Sequence, residues 1–382
     1  MAQLKEYFIL DPEIVFLNHG SFGATPKPVF DVYQAWQREL ERQPVEFLDR
    51  RFRERMAGSR TALAEYLGTE RDDLVYVTNA TVGVNTVARS LQLGPGDEVL
   101  ATDHEYGACD RTWRFLAKKQ GFSYINQPIS LPITSAENFL EQLWQGVTAR
   151  TKVIFLSHIT SPTAIIFPMA EVCRRARAQG ILTVVDGAHA PGQIPLNLDE
   201  IGADFYTGNL HKWLCAPKGA GFLYARPEVQ DVLEPLVVSW GYEAQKTGPS
   251  QFVDYQEWQG TRDIAAFLSV PAAIEFQKKH DWNRIQEACH VLAVDAEARI
   301  REITGQPSLY ANEAWFAQMV SAMLPLETDI AALKEYLYEK HCIEVPLMEW
   351  NGEKLLRVSI QGYNSREDVD ALVTALGAWF GG

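Results

Sequence analysis

LTVVDGAHA (Leu182–Ala190) and, further on, FYTGNLHKWLCAPKGAGFLYA (Phe205–Ala225) are the two stretches on which the fold turns. Each opens on a short, mostly apolar run and then changes character. Asp186, Gly187, Ala188 and His189 follow the first run, and Asn209, His211 and Lys212 follow the second. Such runs read as buried strands, and polar residues at their ends belong at the carboxyl edge of a parallel sheet, where open α/β folds hold their ligands.

Outward from these stretches, strand-like and helix-like segments alternate from about residue 60 to residue 225. Strands are predicted at Leu74–Thr78, Glu98–Thr102, Lys152–Ser157, Leu182–Asp186, Phe205–Thr207 and Gly221–Ala225, with helices at Thr81–Leu91, Ala108–Gln120 and Met169–Gln179. This alternation builds βαβ units, so the fold class is α/β, a mostly parallel sheet covered by helices. Past it runs a long helical pattern from Ile264 to about Thr304. Strand and helix segments follow, ending with Leu355–Ile360 and a helix from Arg366, the pattern of a smaller α+β domain. The expected organisation is an N-terminal segment (1–20) packing on the small domain and the ligand site, a large domain (21–270) and a small C-terminal domain (271–382).

At 382 residues, with 47% hydrophobic and 22% charged, the chain has the composition of a globular protein rather than a disordered one. Its net charge of −14 would repel nucleic acid and anionic membrane surfaces, so neither is the expected partner. The N-terminal MAQLKEYFILDPEI carries acidic residues where a signal peptide needs an apolar core, and the expected location is cytoplasmic. Cys109, Cys173, Cys215, Cys289 and Cys342 lie far apart, without a CxxC pair, which gives neither a disulfide framework nor a zinc motif.

The strand-end residues carry the chemistry. Thr81 at a helix start offers a hydroxyl and free N–H groups that suit a phosphate, although a plain N-cap reads the same way. Asp186 ends an apolar strand, where an unpaired carboxylate is costly, and calls for a cation or strong donor such as a protonated pyridine nitrogen, or a structural Arg or Lys. Lys212 lies between polar residues and an apolar, Gly-rich strand. Burial there would favour its free amine, the form that attacks an aldehyde. Lys218 in PKGAG is the competing lysine. Arg50 and Arg51 read as a solvated helix face more readily than as a carboxylate site.

VVDGAHA (Val184–Ala190) followed by TGNLHKW (Thr207–Trp213) resembles the class V aminotransferase family of fold type I enzymes dependent on pyridoxal 5'-phosphate (PLP). FLNHGSFGATP (Phe16–Pro26), HEYGA (His104–Ala108) and EVPLMEWNGEKLLRVSIQGYN (Glu344–Asn364) are most similar to its isopenicillin N epimerase-like branch. The resemblance spans nearly the whole chain. It implies that Lys212 forms the Schiff base with PLP and shuttles the α-proton of an amino acid, while Asp186 keeps the pyridine nitrogen protonated. Tyr106 would cover the ring, in a register open by one residue, and His189 would bond the phenolic oxygen. Ala80, Thr81, Asn209 and His211 would bind the phosphate, with Thr207 as the alternative to Asn209 and Thr261 reaching in from the second subunit of a homodimer. Arg357 would pair with the substrate α-carboxylate. Asn18, His19 and Ser21, on a loop folded over the site, would touch substrate.

The reaction itself stays open. Loss of the α-proton leads to epimerisation, to transamination, or to β-elimination as in a C–S lyase. Desulfurase relatives carry a nucleophilic cysteine about as far before the arginine as Cys342 is here, yet HCIEVPL runs straight into a strand and reads as structural. A nicotinamide dehydrogenase lacks its GxGxxG and a zinc hydrolase its HExxH. A dimeric binding protein on the same fold is the remaining non-enzyme reading.

Overall fold

Every residue of Leu74–Val77, Glu98–Thr102, Phe205–Asn209 and Gly221–Ala225 is buried. Strands reach that state when both faces of their sheet are covered. The structure, a computed structural model, describes residues 4–381. Its strands in chain order are β1 (Val15–Phe16), β2 (Leu74–Val77), β3 (Glu98–Thr102), β4 (Ser123–Gln127), β5 (Thr151–Ser157) and β6 (Leu182–Asp186). They continue with β7 (Phe205–Asn209), β8 (Gly221–Ala225), β9 (Met319–Leu324), β10 (Ile343–Glu344), β11 (Leu347–Trp350) and β12 (Glu353–Ser359).

The main sheet has the order β2-β8-β7-β6-β5-β3-β4, and only β8 runs against its neighbours. Alternate side chains serve two cores. Tyr76, Leu100, Ile154, Val185, Tyr206 and Phe222 face one, while Val75, Val99, Phe155, Val184, Phe205 and Leu223 face the other, beneath the helices Ala80–Ser90 and Gly107–Gln120. The first helix approaches β7 closely because Gly83 lacks a Cβ, which would collide with the Thr207 hydroxyl. β4 was not expected from the sequence. It is the edge strand, its SYINQ is exposed or half-buried, and so it carries no apolar run.

A second, antiparallel sheet of order β11-β12-β9 packs against the helix Trp282–Thr304, which in turn packs against the helix Arg366–Phe380. The N-terminal residues join this side of the molecule: β1 pairs with β10, and Ser359 N–H donates to the Leu17 carbonyl at 2.9 Å. The long helical pattern expected from Ile264 to Thr304 is three helices, Ala265–Leu268, Val270–Lys279 and Trp282–Thr304. Pro271 in the first turn of the second and Asp281 at φ 50° explain the breaks, because each interrupts the i to i−4 ladder. Among the described residues no helix is long and apolar enough to cross a membrane.

Candidate active site

The carboxyl ends of β5, β6 and β7 meet the N-terminus of the helix Ala80–Ser90 around a cavity of about 430 Å³. Ser21, Ala80, Thr81, Tyr106, Asp186, His189, Asn209, His211 and Lys212 line it, which brings together nine of the residues singled out from sequence. A larger cavity of about 650 Å³ lies elsewhere, but its central Arg60 is already paired with Glu257 and Asp72.

Lys212 follows β7 on the loop to β8, with its Nζ 3.1 Å from His189 Nε2. The Trp213 indole N–H donates to His189 Nδ1 at 3.3 Å, so Nε2 carries the imidazole proton and points it at the lysine. Burial first, then the Arg357 charge, pushes the Lys212 ammonium down to about 7, and burial holds His189 neutral. Lys218 is exposed and lines a different cavity, beside Thr25 and Tyr33.

Asp186 is buried, and its Oδ1 accepts only the Ala188 N–H at 2.9 Å while Oδ2 faces the Cys109 thiol at 3.4 Å. Burial pushes its carboxyl up, against those hydrogen bonds and the Lys212 charge. No arginine or lysine pairs with it among the described residues, so the structural alternative for Asp186 is not what the fold uses. A buried acid that lines the cavity with no ion-pair partner among the described residues fits a protonated ring nitrogen, and this is the observation by which the site suits PLP.

At the other end, Asn79 caps the helix by accepting from Val82 N–H, and Asn209 Oδ1 accepts from Ala80 N–H at 2.8 Å. The Ala80 amide is therefore engaged within the protein, and the Thr81 N–H and hydroxyl, with the Asn209 amide nitrogen, are the donors left for a phosphate. His211 donates from Nδ1 to the Ala220 carbonyl at 3.0 Å. Burial pushes His211 down to about 4, and a phosphate dianion would reverse that by favouring the imidazolium. Thr207 does not reach the cavity: its hydroxyl donates to the Phe222 carbonyl at 2.7 Å beneath the helix. Between the two residues left open by the sequence, only Asn209 lines the site.

Arg357 on β12 is buried, and burial pushes its guanidinium down to about 10, which leaves it cationic at neutral pH. It donates to the carbonyl and hydroxyl of Ser161 at 2.7 and 3.0 Å and to the Ser21 hydroxyl at 3.2 Å, while its Nε has no partner. Ser161 and Ser21 both line the cavity.

Two expected substrate contacts are corrected by the packing. His19 is fully buried behind the loop, with Nε2 3.0 Å from the Lys212 carbonyl and Nδ1 2.9 Å from the Tyr363 hydroxyl, so it braces the lysine's backbone instead of touching substrate. Asn18 spends its amide on Glu344 and accepts from Ser21. Thr261, expected to act in the site of a second subunit, is exposed and outside this chain's own cavity. Tyr106 stands at the mouth as an exposed aromatic, as does Phe22. His104, two residues before Tyr106, is buried against Trp350 and Phe167. Arg50 and Arg51 are exposed and pair with Glu46, as a solvated face does.

Phe22, Ser157 and Ser161, which the sequence did not single out, also line the cavity. Ser157 ends β5 opposite Asp186, and strand alternation turns the next residue, His158, away to bond the Tyr206 hydroxyl at 2.8 Å. Ser157 shares the parity of Phe155 on its own strand and of Asp186 across the sheet, and the latter is the signal that could have found it.

Comparison with known proteins places the chain in a family. Residues 16–372 match the family model described as Aminotransferase class-V. The chain is 36% identical to isopenicillin N epimerase of Amycolatopsis lactamdurans, covering 98% of this chain and 97% of that protein. It is 29% identical to a probable chloroplastic L-cysteine desulfhydrase of Arabidopsis thaliana, covering 97% of this chain and 84% of the relative. Among solved structures, a cysteine desulfurase of Escherichia coli superposes with a TM-score of 0.82 at 22% identity, over 99% of this chain and 97% of that one. The fold and site define a PLP-dependent enzyme of fold type I. The chain belongs to the class V aminotransferase family.

Proposed function

We propose that this enzyme removes and returns the α-proton of an amino-acid substrate, epimerising that carbon, with Lys212 as the group that carries the proton. The observation behind the reading is the Lys212 amine: enclosed, 3.1 Å from His189, and largely uncharged just above neutral pH. Asp186 would hold the cofactor's ring nitrogen, His189 its phenolic oxygen, Thr81, Asn209 and His211 its phosphate, and Tyr106 its face. Bound PLP supplies the electron sink for the charge left when the α-proton departs.

The chain's own residues do the rest. Arg357 lies just behind the lining residues Ser161 and Ser21, to which its Nη1 and Nη2 donate, and would turn that planar donor fork to the substrate carboxylate. Lys212 Nζ accepts a proton as the free amine and can release it again as the ammonium. Tyr106 is the one phenol lining the cavity among the described residues, and is the second group able to exchange a proton there. Epimerisation is favoured over desulfuration because relatives at 36% identity are isopenicillin N epimerases and no cysteine is among the cavity's lining residues.

The same reading makes the protein a cytoplasmic homodimer, with Thr261 of each subunit completing the other's phosphate site. Its support is the exposed Thr261 together with exposed Val237, Val238 and Trp240 on the preceding stretch. Residues 1–20, 21–270 and 271–382 would be the arm, large domain and small domain of each subunit.

The test begins with colour. Holoprotein should show a visible cofactor band, and borohydride should fix the cofactor covalently to the native enzyme but not to Lys212→Ala. Amino acids and cysteine derivatives are then incubated in D2O, and inverted isomer, α-deuterium, keto acid, pyruvate and sulfide are measured together. Deuterated inverted isomer supports the proposal. Sulfide with pyruvate makes the enzyme a C–S lyase, and keto acid makes it an aminotransferase. Absence of α-deuterium in every substrate overturns the role of Lys212.

A further inference from the structure

Glu105, immediately before Tyr106, does not line the cavity, yet three donors converge on its carboxylate. The Thr102 hydroxyl donates to Oε1 at 2.7 Å, and the N–H and hydroxyl of Ser157 donate to Oε2 at 2.7 and 2.8 Å. Thr102 ends β3, and Ser157 ends β5 in register with Asp186 on β6. A single carboxyl group thus ties two strand ends to the loop that carries Tyr106. The residue keeps some exposure, but the carboxyl itself is enclosed.

The loop is also fastened from the far side. Trp350 Nε1 donates to the Asp103 carbonyl at 2.9 Å, and Asn351 donates to its carboxylate at 2.6 Å, both from the β11–β12 hairpin. Beyond Tyr106, Cys109 in the following helix reaches Asp186. Between these fixed points the Tyr106 side chain is left 45% exposed at the mouth of the cavity.

We propose that Glu105 is a positioning residue for the cofactor: it clamps the Tyr106 loop to the Ser157 end of β5 and thereby sets where Tyr106 stands relative to the ring held at Asp186. The proposal deepens the reading of Tyr106 as the ring's cover and rests on it. Burial pushes the Glu105 carboxyl up to about 7 against its three donors, and the Asp186 charge raises it further. The groups facing it are Asp186 from β6, the Cys109 thiol from the helix Gly107–Gln120, and the Tyr124 phenol from β4. Protonation turns an acceptor oxygen into a donor and sets it against the donors already there. The clamp therefore loosens as pH falls through about 7.

The test uses holoprotein and reads the circular dichroism of the bound cofactor's visible band, its pH dependence, and the PLP dissociation constant. Glu105→Gln should weaken PLP binding roughly ten-fold, the usual scale for mismatched buried donors, alter the dichroism, and abolish its change near neutral pH. Ser157→Ala, which removes one donor and leaves the acid, should give the same change in smaller measure, and decides the matter if Glu105→Gln fails to fold. Wild-type affinity, dichroism and pH dependence in both variants overturn the clamp. Tyr106→Ala separates the two ideas: if it leaves the dichroism unchanged, the cover reading falls and takes the proposal with it. If Tyr106→Ala alters the band and the Glu105 and Ser157 variants do not, only the clamp fails.

Discussion

Lys212 Nζ stands 3.1 Å from His189 Nε2, on the side of the imidazole whose proton is fixed by the Trp213 indole at the opposite nitrogen. A neutral amine accepts that proton in a hydrogen bond; an ammonium would face a donor. Geometry and burial therefore both favour the free base.

The pH dependence follows. The folded-state pKa of Lys212 is depressed from 10.5 to about 7, so the fraction of free amine rises as pH rises through about 7. In apoprotein the unfolded chain binds the proton that the fold rejects, so this lysine lowers stability below about 7 and ceases to do so as pH rises towards 10.5. Lys212→Met should abolish turnover and, as apoprotein at pH 6, be more stable than wild type by roughly 2–4 kcal/mol, read by urea denaturation. A less stable apo-variant contradicts the depressed amine.

Asp186 behaves with the opposite charge. Its folded pKa is raised above 3.8 by burial, so the carboxylate's contribution is unfavourable once pH rises past that value. Asp186→Asn apoprotein should melt higher than wild type at neutral pH while losing at least about a hundred-fold in turnover, since the ring nitrogen loses its counter-charge. Added PLP should then raise the melting temperature of wild type by more than that of Asp186→Asn, which separates cofactor pairing from simple burial.

The main sheet and much of the site were legible because both are written in short local runs. A strand covered on two faces is an apolar string, and Asp186, Asn209 and Lys212 follow such strings directly. β4 was not legible, since an edge strand needs no such string. His19 was misread for a different reason. It stands in a glycine-bearing loop that does fold over the site, but its partner is the Lys212 carbonyl, 193 positions away, and no local pattern reports that contact. Thr207 sits on the right strand, two residues before Asn209, yet only the close approach at Gly83 reveals that its hydroxyl is committed beneath the helix.

His19 is expected to act through the backbone of Lys212. Burial pushes its imidazole down to about 3, so it is uncharged throughout the working range and contributes no limb to a pH–rate profile. His19→Ala should lose roughly 2–4 kcal/mol of stability from the cavity and the two orphaned partners, and should lower kcat. The pH at which the remaining activity rises should stay that of Lys212. Tyr363→Phe, which removes only the hydroxyl at Nδ1, should do the same by about 1 kcal/mol. A shifted pH profile in His19→Ala would return the imidazole to a proton-transfer role.

Thr207 and Asn209 are separable by their readouts. Thr207→Val deletes a buried hydroxyl that serves Phe222 and should cost about 1 kcal/mol of stability with PLP affinity unchanged. Asn209→Ala strips the Ala80 amide of its acceptor and the phosphate of a donor, and should weaken PLP binding about ten-fold. Equal loss of PLP affinity in both variants contradicts the assignment.

Cys342 ends the helix Ile330–His341 at φ 54°, exposed, and passes directly into β10, where its carbonyl accepts the Val15 N–H at 2.8 Å. A sulfur carrier must swing to the substrate, whereas this backbone is pinned on both sides and the residue lies outside the cavity. The positive φ is the position where glycine commonly ends a helix, and a side chain there is strained. Cys342→Gly should therefore gain about 0.5–1 kcal/mol in denaturant unfolding with turnover intact, and Cys342→Ala should be near neutral in both. If either substitution abolishes turnover while the bound cofactor's spectrum is retained, the thiol takes part in the chemistry and the enzyme sides with the desulfurases.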